Sequence, residues 1–504
     1  MLFRKKYFWI ILGLAIFALY FFTRLYNILG LPIFTDEAIY VRWAQIAGND
    51  ASWRFISLTD GKQPMYIWIA MLLMKVIHDP LLAGRVTSVL AGLGSLIGIF
   101  FLTNEVFKNK KIALLVSFLY VIYPFSLVYD RMALYDSLVA MFIIWSLYFE
   151  ILLVRFVRLD IALILGAITG FGMLTKTSTD YAFALLPFAL LLFDFKKKDW
   201  KKRLGKVIVY FLIVVVIANA LYSILRLSPF FYIIAQKNYV FLHTPKEMLA
   251  DPFGYFLPNL VPLINWLGIY MTIPFLLLVV CSFLVGKTFF REKLLLLVWF
   301  VVPFLTSALI ARLLYPRYIL SMTLPLLILG GYGLYYAIMF VKKLWLQVVV
   351  VIVFLTMFVI NDYYIITDFA KASVPTSDIG QYVAGWPSGV GVKETVAFLQ
   401  EKAKTQKIYI GTEGTFGLMP YALEMYLVDN PNVKIQAFWP IHDLPPAEAI
   451  AASKKMPTYF VFYQDCPSCK AKGIAPVTWH ATPIFQIKKL EKNTYYTLYQ
   501  LQAQ

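Results

Sequence analysis

Long apolar segments separated by short basic clusters are the feature that most constrains this chain. A helix needs about 20 mostly apolar residues to cross the hydrocarbon core of a bilayer. Eleven segments approach that length, and they are 7–27, 82–106, 112–129, 134–153, 160–176, 180–195, 204–226, 258–285, 294–313, 318–341 and 344–361. Because 61% of the 504 residues are apolar and only 15% are charged, the composition excludes a soluble globule and a disordered chain. The sequence therefore predicts an all-α polytopic membrane protein.

Clusters of lysine and arginine predict the orientation of these helices. The clusters precede the first span and then occupy every second loop, at Arg4–Lys6, Lys108–Lys111, Arg155–Arg158, Lys196–Arg203, Lys287–Lys293 and Lys342–Lys343. Cytoplasmic loops carry the excess of basic residues in membrane proteins, so we expect these clusters and the N-terminus in the cytoplasm of a prokaryotic cell. The net charge of +18 is then a topology signal, and no nucleic-acid partner is expected. Segment 64–79 is too short to cross and is expected to be interfacial or re-entrant.

The composition changes after residue 361, which divides the chain into two predicted domains. Residues 1–361 form the membrane domain, with a long external loop at 28–63, and residues 362–504 form an α/β domain. The second domain contains helix-like stretches at 392–405 and 446–455, strand-like runs at 407–411 and 458–463, and a hairpin over 484–502. Eleven crossings place it outside the cytoplasm. Its Cys466 and Cys469 are read either as a local disulfide or as two idle thiols.

Ionisable residues collect at the predicted external face of the membrane. Such residues are costly near the hydrocarbon core, so they usually line a cavity or pair with one another. The set comes from five loops and comprises Asp36, Glu37, Asp60, Lys62, Arg131, Asp136, Lys176, His243 and Arg317. Two of them also have simpler readings, since Glu37 fits a solvated loop charge and Asp60 fits a cap for the helix that begins near Pro64.

This mixture of cations and carboxylates suits chemistry on a lipid-linked phosphate that carries a sugar. Lysine and arginine neutralise a phosphate, and arginine binds it with a bidentate fork. A hydroxyl or amine that attacks the anomeric carbon needs a carboxylate to accept its proton. Cations on the departing phosphate stabilise the charge that develops there. An apolar groove, several cations and one carboxylate are therefore sufficient for sugar transfer.

Five short elements follow one another in a recognisable order. They are Asp36-Glu37, Lys62-Gln63-Pro64-Met65-Tyr66-Ile67-Trp68, Arg131 to Asp136, Leu174-Thr175-Lys176 and Arg317-Tyr318-Ile319-Leu320. In order and spacing, over roughly residues 7–340, the pattern resembles the GT-C membrane glycosyltransferases. Within them it is similar to the branch of the protein O-mannosyltransferases (dolichyl-phosphate-mannose-protein mannosyltransferases) and the lipid A aminoarabinose transferase.

The resemblance implies an inverting transfer from a polyprenyl-phosphate sugar donor. It implies Asp36 as the general base and Glu37 as a substrate-binding residue. Lys62, Arg131, Lys176 and Arg317 become candidates for binding the donor phosphate, with Asp136 orienting either Arg131 or the sugar. The acceptor is a hydroxyl or amine of a protein, a lipid or a glycan.

This chain departs from the relatives it resembles at a residue that holds a metal in them. The lipid A relatives carry an acid immediately before the loop-closing lysine, and that acid holds a metal together with a later external histidine. Here Gly61 stands in that place, so Asp60 and His243 are the candidates for a divalent metal. We expect that no cofactor is required.

Two other classes of protein fit a polytopic chain. A transporter or lipid flippase also has many spans, but it usually carries internal repeats and keeps its charges near the middle of the bilayer. This sequence contains no visible repeat, and its charges lie at one face. A membrane scaffold that presents the C-terminal domain would leave Asp36, Lys62 and Arg131 without a role.

Overall fold

The computed structural model describes residues 2–251, 253–285, 288–464 and 471–502, without the side chains of residues 2–6 and 8. Cys466, Cys469 and Lys287 lie outside the described residues. Two compact units make up the chain. The membrane unit contains Met1–Tyr26, Ser52–Ile69 and Arg85–Ile366, and the sheet unit contains Asn27–Ala51, Ala70–Gly84 and Thr367–Gln504.

Helices dominate the first 367 residues. In chain order they are α1 (Leu2–Leu25), α2 (Thr35–Asn49), α3 (Met65–Leu73), α4 (Pro80–Phe107), α5 (Lys110–Val121), α6 (Pro124–Asp130), α7 (Asp136–Phe156), α8 (Leu159–Met173), α9 (Tyr181–Leu185), α10 (Trp200–Tyr222), α11 (Ile233–Phe241), α12 (Pro245–Ala250), α13 (Phe256–Met271), α14 (Ile273–Leu284), α15 (Phe290–Ile310), α16 (Leu320–Phe340) and α17 (Leu344–Thr367). Short 3₁₀ segments connect several of them, including Ile56–Asp60, Thr177–Asp180 and Pro316–Ile319.

Apolar helices coincide with all the predicted spans. Some are single long helices, some are bent pairs and some are shorter helices. Among the described residues, six helices are long and apolar enough to cross a membrane, and two bent pairs pass the same test together. The pair α5 and α6 bends by 59° and the pair α13 and α14 by 93°. Shorter apolar helices cover Trp9–Leu25, Leu159–Met173 and Thr177–Leu192. Helix α3, at 9 residues, is too short to span.

Each bend has a local cause in the sequence. Pro124 begins α6 and supplies no N–H to continue the hydrogen bonding of α5. At the sharper bend, Thr272 adopts φ 59° and ψ 144° between the two helices, and Pro274 follows in the first turn of α14. A helix cannot continue through either geometry, so each apolar run is divided into two shorter helices.

Helix α16 lies at the centre of the membrane unit. Every residue from Leu320 to Leu334 is buried, as expected for a helix that is apolar all round and surrounded by others. A Cβ at Gly333 would lie 2.2 Å from the carbonyl oxygen of Leu278, and a Cβ at Gly331 would lie 2.5 Å from Val116 Cγ2. Glycine therefore permits the close approach of α16 to α14 and α5.

The sheet unit is an α/β structure around five strands. The strands are β1 (Ile408–Glu413), β2 (Val433–Phe438), β3 (Thr458–Phe462), β4 (Thr482–Lys488) and β5 (Tyr495–Leu501), in the order β2-β1-β3-β5-β4. Strands β1, β2 and β3 run parallel, whereas β5 is antiparallel to both β3 and β4. The remaining helices are α18 (Thr376–Ile379), α19 (Val392–Thr405), α20 (Leu418–Leu427) and α21 (Ala447–Ser453).

The predicted α/β character of the C-terminal region is confirmed. Helices α19 and α21, strands β1 and β3 and the β4–β5 hairpin lie where the sequence pattern predicts them. All residues of β1 and β3 are buried, which is typical of central strands. The pattern did not predict β2 or α20. It also did not predict that segment 27–51, from the first long loop, groups with this unit.

Candidate functional site

Two predicted cations of the membrane unit lie over neighbouring aromatic rings. Lys62 Nζ is 5.2 Å from the ring centroid of Phe241, and Lys176 Nζ is 4.3 Å from that of Tyr318. The two rings meet edge to face with their centroids 6.4 Å apart. These contacts bring together lysines that are far apart in the sequence, and each ring face attracts its ammonium group.

Arg317 joins the same cluster through the rings of Tyr318 and Tyr315. Its guanidinium carbon lies 5.7 Å from the centroid of Tyr318 and 5.3 Å from that of Tyr315. Only 8% of Arg317 is exposed. The Pro316–Ile319 turn therefore directs the arginine into the cluster, where it is held between two tyrosines at the start of the buried helix α16.

Asp136 supplies the carboxylate of this cluster. Its Oδ1 accepts a hydrogen bond of 2.9 Å from Lys176 Nζ, and its side chain is 7% exposed. Asp136 begins α7, where the partial positive charge of the helix N-terminus stabilises a negative charge. Lys176 therefore contacts both this carboxylate and the ring of Tyr318. The partner that the structure gives to Asp136 is Lys176.

Main-chain contacts fix the segments that carry the two lysines. The amide of Lys176 donates to the carbonyl of Gly172 at the end of α8. The amide of Met65 donates to the carbonyl of Leu174, and the Gln63 side chain donates to the Thr177 hydroxyl at 2.7 Å. The end of the first loop therefore lies directly against the turn that follows α8.

A short strand-like pairing joins the segment after Phe241 to the segment before Arg317. Leu242 forms an antiparallel bridge with Ala311. The amide of Arg312 donates to the carbonyl of Phe241, and the amide of His243 donates to that of Ile310. The end of α11 is thereby tied to the segment that leads to Arg317.

Arg131 has a different environment from the other predicted cations. Its Nη1 donates to the carbonyls of Thr23, Arg24 and Tyr26 at 2.7, 3.0 and 2.8 Å. These carbonyls end α1, where a cation is favoured. Burial, followed by the neighbouring Arg85 and Arg24, lowers the pKa of Arg131 to about 9. These hydrogen bonds of Arg131 therefore tie the end of α1 to the α6–α7 connection.

A buried ion pair beside Arg131 was missed by sequence reasoning. Arg24 Nε lies 3.3 Å from Asp130 Oδ2, and both side chains are almost completely buried. Asp130 also accepts hydrogen bonds from Ser137 at 2.7 Å and from Tyr120 at 3.1 Å. The signal in the sequence was an arginine at the end of the first apolar segment. Buried charges of this kind need partners, and this network links α1, α5, α6 and α7.

Asp60 pairs with a lysine that the sequence analysis did not consider. Lys237 Nζ, on α11, donates to Asp60 Oδ1. Gly61 follows with φ 66°, and a Cβ there would lie 2.6 Å from Lys237 Cβ and 2.9 Å from the Ile233 carbonyl oxygen. Glycine is therefore required at this position, and an acid there would clash with α11.

His243, the other candidate for a metal, also has protein partners. Its ring stacks on Tyr255 with centroids 3.7 Å apart, and its Nδ1 lies 3.6 Å from Glu247 Oε2. The Thr244 amide and hydroxyl and the Arg312 guanidinium lower the pKa of Glu247 to about 2. In the part of the chain that the structure describes, no three His, Cys, Asp or Glu side chains stand close enough to hold a metal. The role of Asp60 and His243 as metal ligands stays a prediction.

Asp36 and Glu37 lie in the sheet unit, in the first turn of α2. Asp36 is half-buried. Glu37 is fully buried, and its Oε2 accepts a hydrogen bond of 3.0 Å from the Phe34 amide. Glu37 is therefore not a solvated loop charge, and this contact gives it a helix-capping role. Its predicted role in substrate binding stays a prediction.

One known family matches part of the chain. The sequence profile of the family described as dolichyl-phosphate-mannose-protein mannosyltransferase matches residues 61–223. That range contains four of the predicted site residues, which are Lys62, Arg131, Asp136 and Lys176. No curated protein sequence matches the chain.

Solved structures of membrane glycosyltransferases share the fold along the chain. ArnT from Cupriavidus metallidurans in the apo state matches with a TM-score of 0.58 at 12% identity, over 99% of both chains. ArnT bound to undecaprenyl phosphate matches with a TM-score of 0.56 at 14% identity, over 98% of both chains. The archaeal oligosaccharyltransferase AglB from Archaeoglobus fulgidus, in complex with an inhibitory peptide and a dolichol-phosphate, gives 0.53 at 12% identity, over 85% of this chain and 65% of AglB.

These matches confirm the fold class and the resemblance. The chain is a multi-pass membrane protein with the GT-C fold and a smaller α/β region, and it resembles the mannosyltransferase and aminoarabinose transferase branch.

Proposed function

We propose that this protein transfers a sugar from a polyprenyl-phosphate donor to an acceptor hydroxyl or amine. The reaction takes place at the outer face of the plasma membrane, with the N-terminus in the cytoplasm and the C-terminal α/β domain outside. The acceptor nucleophile attacks the anomeric carbon from the face opposite the phosphate, so the configuration inverts. The bond between the anomeric carbon and the phosphate oxygen breaks, and polyprenyl phosphate leaves.

The observation that carries this proposal is the cation cluster of the membrane unit. Lys62, Lys176 and Arg317 are held by the rings of Phe241 and Tyr318 and, for Arg317, also Tyr315. A leaving phosphate gains negative charge as its bond to the sugar breaks, and cations fixed in advance stabilise that charge without reorganising. The solved structures of ArnT with undecaprenyl phosphate and of AglB with a dolichol-phosphate support the same class of donor.

Asp36 is the proposed general base, and Arg131 and Glu37 are proposed to contact the substrate. The proton of the acceptor goes to the Asp36 carboxylate as the new bond forms. Asp36 lies in the first turn of α2, on a rigid helix rather than on an open loop. A base held by regular structure reaches its proton with little loss of orientation. In this reaction the chain's own residues supply the charge and the base, and no step needs a cofactor.

The test of the base compares Asp36→Asn with Asp50→Asn, because Asp50 ends the same helix and is exposed. A panel of polyprenyl-phosphate sugars is offered to purified protein together with peptide, lipid and glycan acceptors. Loss of the base lowers kcat by about 10²- to 10⁴-fold, whereas Asp50→Asn keeps wild-type turnover. Undiminished transfer by folded Asp36→Asn protein would refute the assignment.

In the test of the phosphate site, both Lys176 and Arg317 are replaced by glutamine in one variant. Binding of undecaprenyl phosphate is titrated, and Lys196→Gln on the opposite predicted face serves as the control. Each charged hydrogen bond is worth about 1.5–3 kcal/mol, so the double variant binds the lipid at least about 100-fold more weakly. Unchanged affinity would contradict this site. A wild-type protein that moves the donor lipid across vesicles without cleaving it would instead support the flippase alternative.

A further inference from the structure

Helix α2, which carries Asp36, is held against helix α20 within the sheet unit. Arg42 Nε lies 2.9 Å from Glu424 Oε2, and the side chains are 11% and 23% exposed. Gln45 Nε2 donates to the carbonyl of Met425 at 2.9 Å. Two residues about one turn apart on α2 thus contact two adjacent residues of α20. This pairing sets the rotation of α2 about its own axis.

The start of α2 is anchored separately, by the segment before α19. Thr35 donates to the carbonyl of Pro387 from its amide at 3.1 Å and from its hydroxyl at 2.9 Å. Phe34 forms an antiparallel bridge with Ser388, and the Gly389 amide donates to the carbonyl of Ile33. Trp43, which is 1% exposed, packs its ring against Phe416. Together with the contacts to α20, these contacts fix the start and the middle of α2 within the sheet unit.

We propose that Arg42 and Glu424 are positioning residues for Asp36. The inference rests on the proposed function of Asp36 as base. Arg42 lies six residues after Asp36, so it leaves the helix in a direction about 120° away from that carboxylate. Its ion pair therefore acts on Asp36 through the rotation and tilt of α2. By this account, the C-terminal domain sets the geometry of the base.

The experiment combines the two charge reversals. Arg42→Glu and Glu424→Arg each place two like charges together, whereas the double variant restores an ion pair of opposite polarity. A small misplacement of a catalytic group costs about 10- to 100-fold in rate. We expect each single variant to lose at least tenfold in kcat with the donor KM unchanged, and the double variant to return to within about threefold of the wild type.

Glu401→Gln is the matched control, because Glu401 forms an exposed ion pair with Lys404 elsewhere in the same unit. Amide hydrogen exchange supplies a readout independent of activity. In each single variant the amides of α2 exchange about tenfold faster, while those of β1 and β3 stay as protected as in the wild type. If a reversal unfolds the unit, as faster exchange in β1 and β3 would reveal, Arg42→Lys and Glu424→Gln replace it.

The outcomes separate this inference from the function on which it rests. A wild-type protein that transfers no sugar overturns the proposed function, and the inference with it. An active wild type whose Arg42 and Glu424 variants behave like Glu401→Gln overturns the inference alone. Loss of donor binding with unchanged kcat would also contradict it, because a positioning role for the base predicts the opposite pattern.

Discussion

Lys176 and Asp136 form an ion pair of 2.9 Å that joins the end of α8 to the start of α7. The same Lys176 ammonium lies over the ring of Tyr318, so one lysine connects three segments that are distant in the sequence. Its position depends on a carboxylate on one side and an aromatic face on the other. Substitutions of either neighbour are therefore expected to change how the cation cluster binds an anion.

Tyr318 tests the contribution of the aromatic rings. Tyr318→Leu removes the ring face shared by Lys176 and Arg317, whereas Tyr318→Phe keeps it. A cation–π contact is worth about 0.5–2 kcal/mol, so Tyr318→Leu is expected to weaken undecaprenyl phosphate binding by about 2- to 30-fold. Titration of the lipid checks this, and equal affinities for the Leu and Phe variants would show that the ring face is not needed.

Gly61 tests the close contact between the first loop and α11. Gly61→Ala puts a Cβ 2.6 Å from Lys237 Cβ in a left-handed conformation, and we expect a loss of about 1–3 kcal/mol in the free energy of unfolding. Gly205→Ala is the control, because nothing lies within 4 Å of its Cβ and it is inside α10. That change is expected to be neutral or stabilising. Thermal unfolding in detergent measures both, and equal shifts would contradict the contact.

Variants of the Arg24–Asp130 pair test how much this buried ion pair matters for the stability of the membrane unit. Arg24→Gln leaves the Asp130 carboxylate buried without its cation, which typically costs about 3–5 kcal/mol. The double variant Arg24→Gln with Asp130→Asn removes both charges and is expected to lose less than the single variant. The measurement is the unfolding temperature in detergent. A double variant that is less stable than Arg24→Gln would show that the unpaired Asp130 carboxylate is not the cause of the loss.

Because Lys489 is buried, we expect the stability of the sheet unit to depend on pH. Its ammonium contacts the carbonyls of Gly385, Trp386 and Ser388, and burial lowers its pKa to about 7, although Glu491 and Glu413 oppose the shift. The unfolded lysine, with a pKa of about 10.4, binds more protons than the folded one between pH 7 and 10. The free energy of unfolding therefore rises with pH in that window, by at most about 1.4 kcal/mol per pH unit.

Denaturant unfolding at pH 7, 8 and 9 measures this effect. Lys489→Met removes the titrating group, so its stability is expected to change less with pH than that of the wild type. Lys488→Met is the control, because Lys488 is exposed and its removal leaves the wild-type slope. A slope that survives in Lys489→Met would assign the pH dependence to another group.

Several features could be predicted from the sequence because their causes are local. Helix α19 and strands β1 and β3 follow from the spacing of apolar residues over a few turns or a few pleats. The contact between the Arg317 guanidinium and the Tyr318 ring is also local, because the two residues are adjacent in the sequence. Helix α2 escaped prediction because its apolar residues are mixed with charged ones and because it packs against α20, which is more than 350 residues away.

The sequence by itself determined that this chain enters a membrane, which apolar runs form helices and which residues resemble the GT-C glycosyltransferases. The length of an apolar run and the composition of a motif are properties of consecutive residues. Only the tertiary structure decided that Asp136 pairs with Lys176, that Lys237 binds Asp60, and that α2 is held by Glu424. Each of these contacts joins residues 40 to 382 positions apart, and the attraction between charges depends on their distance in space, which no local pattern records.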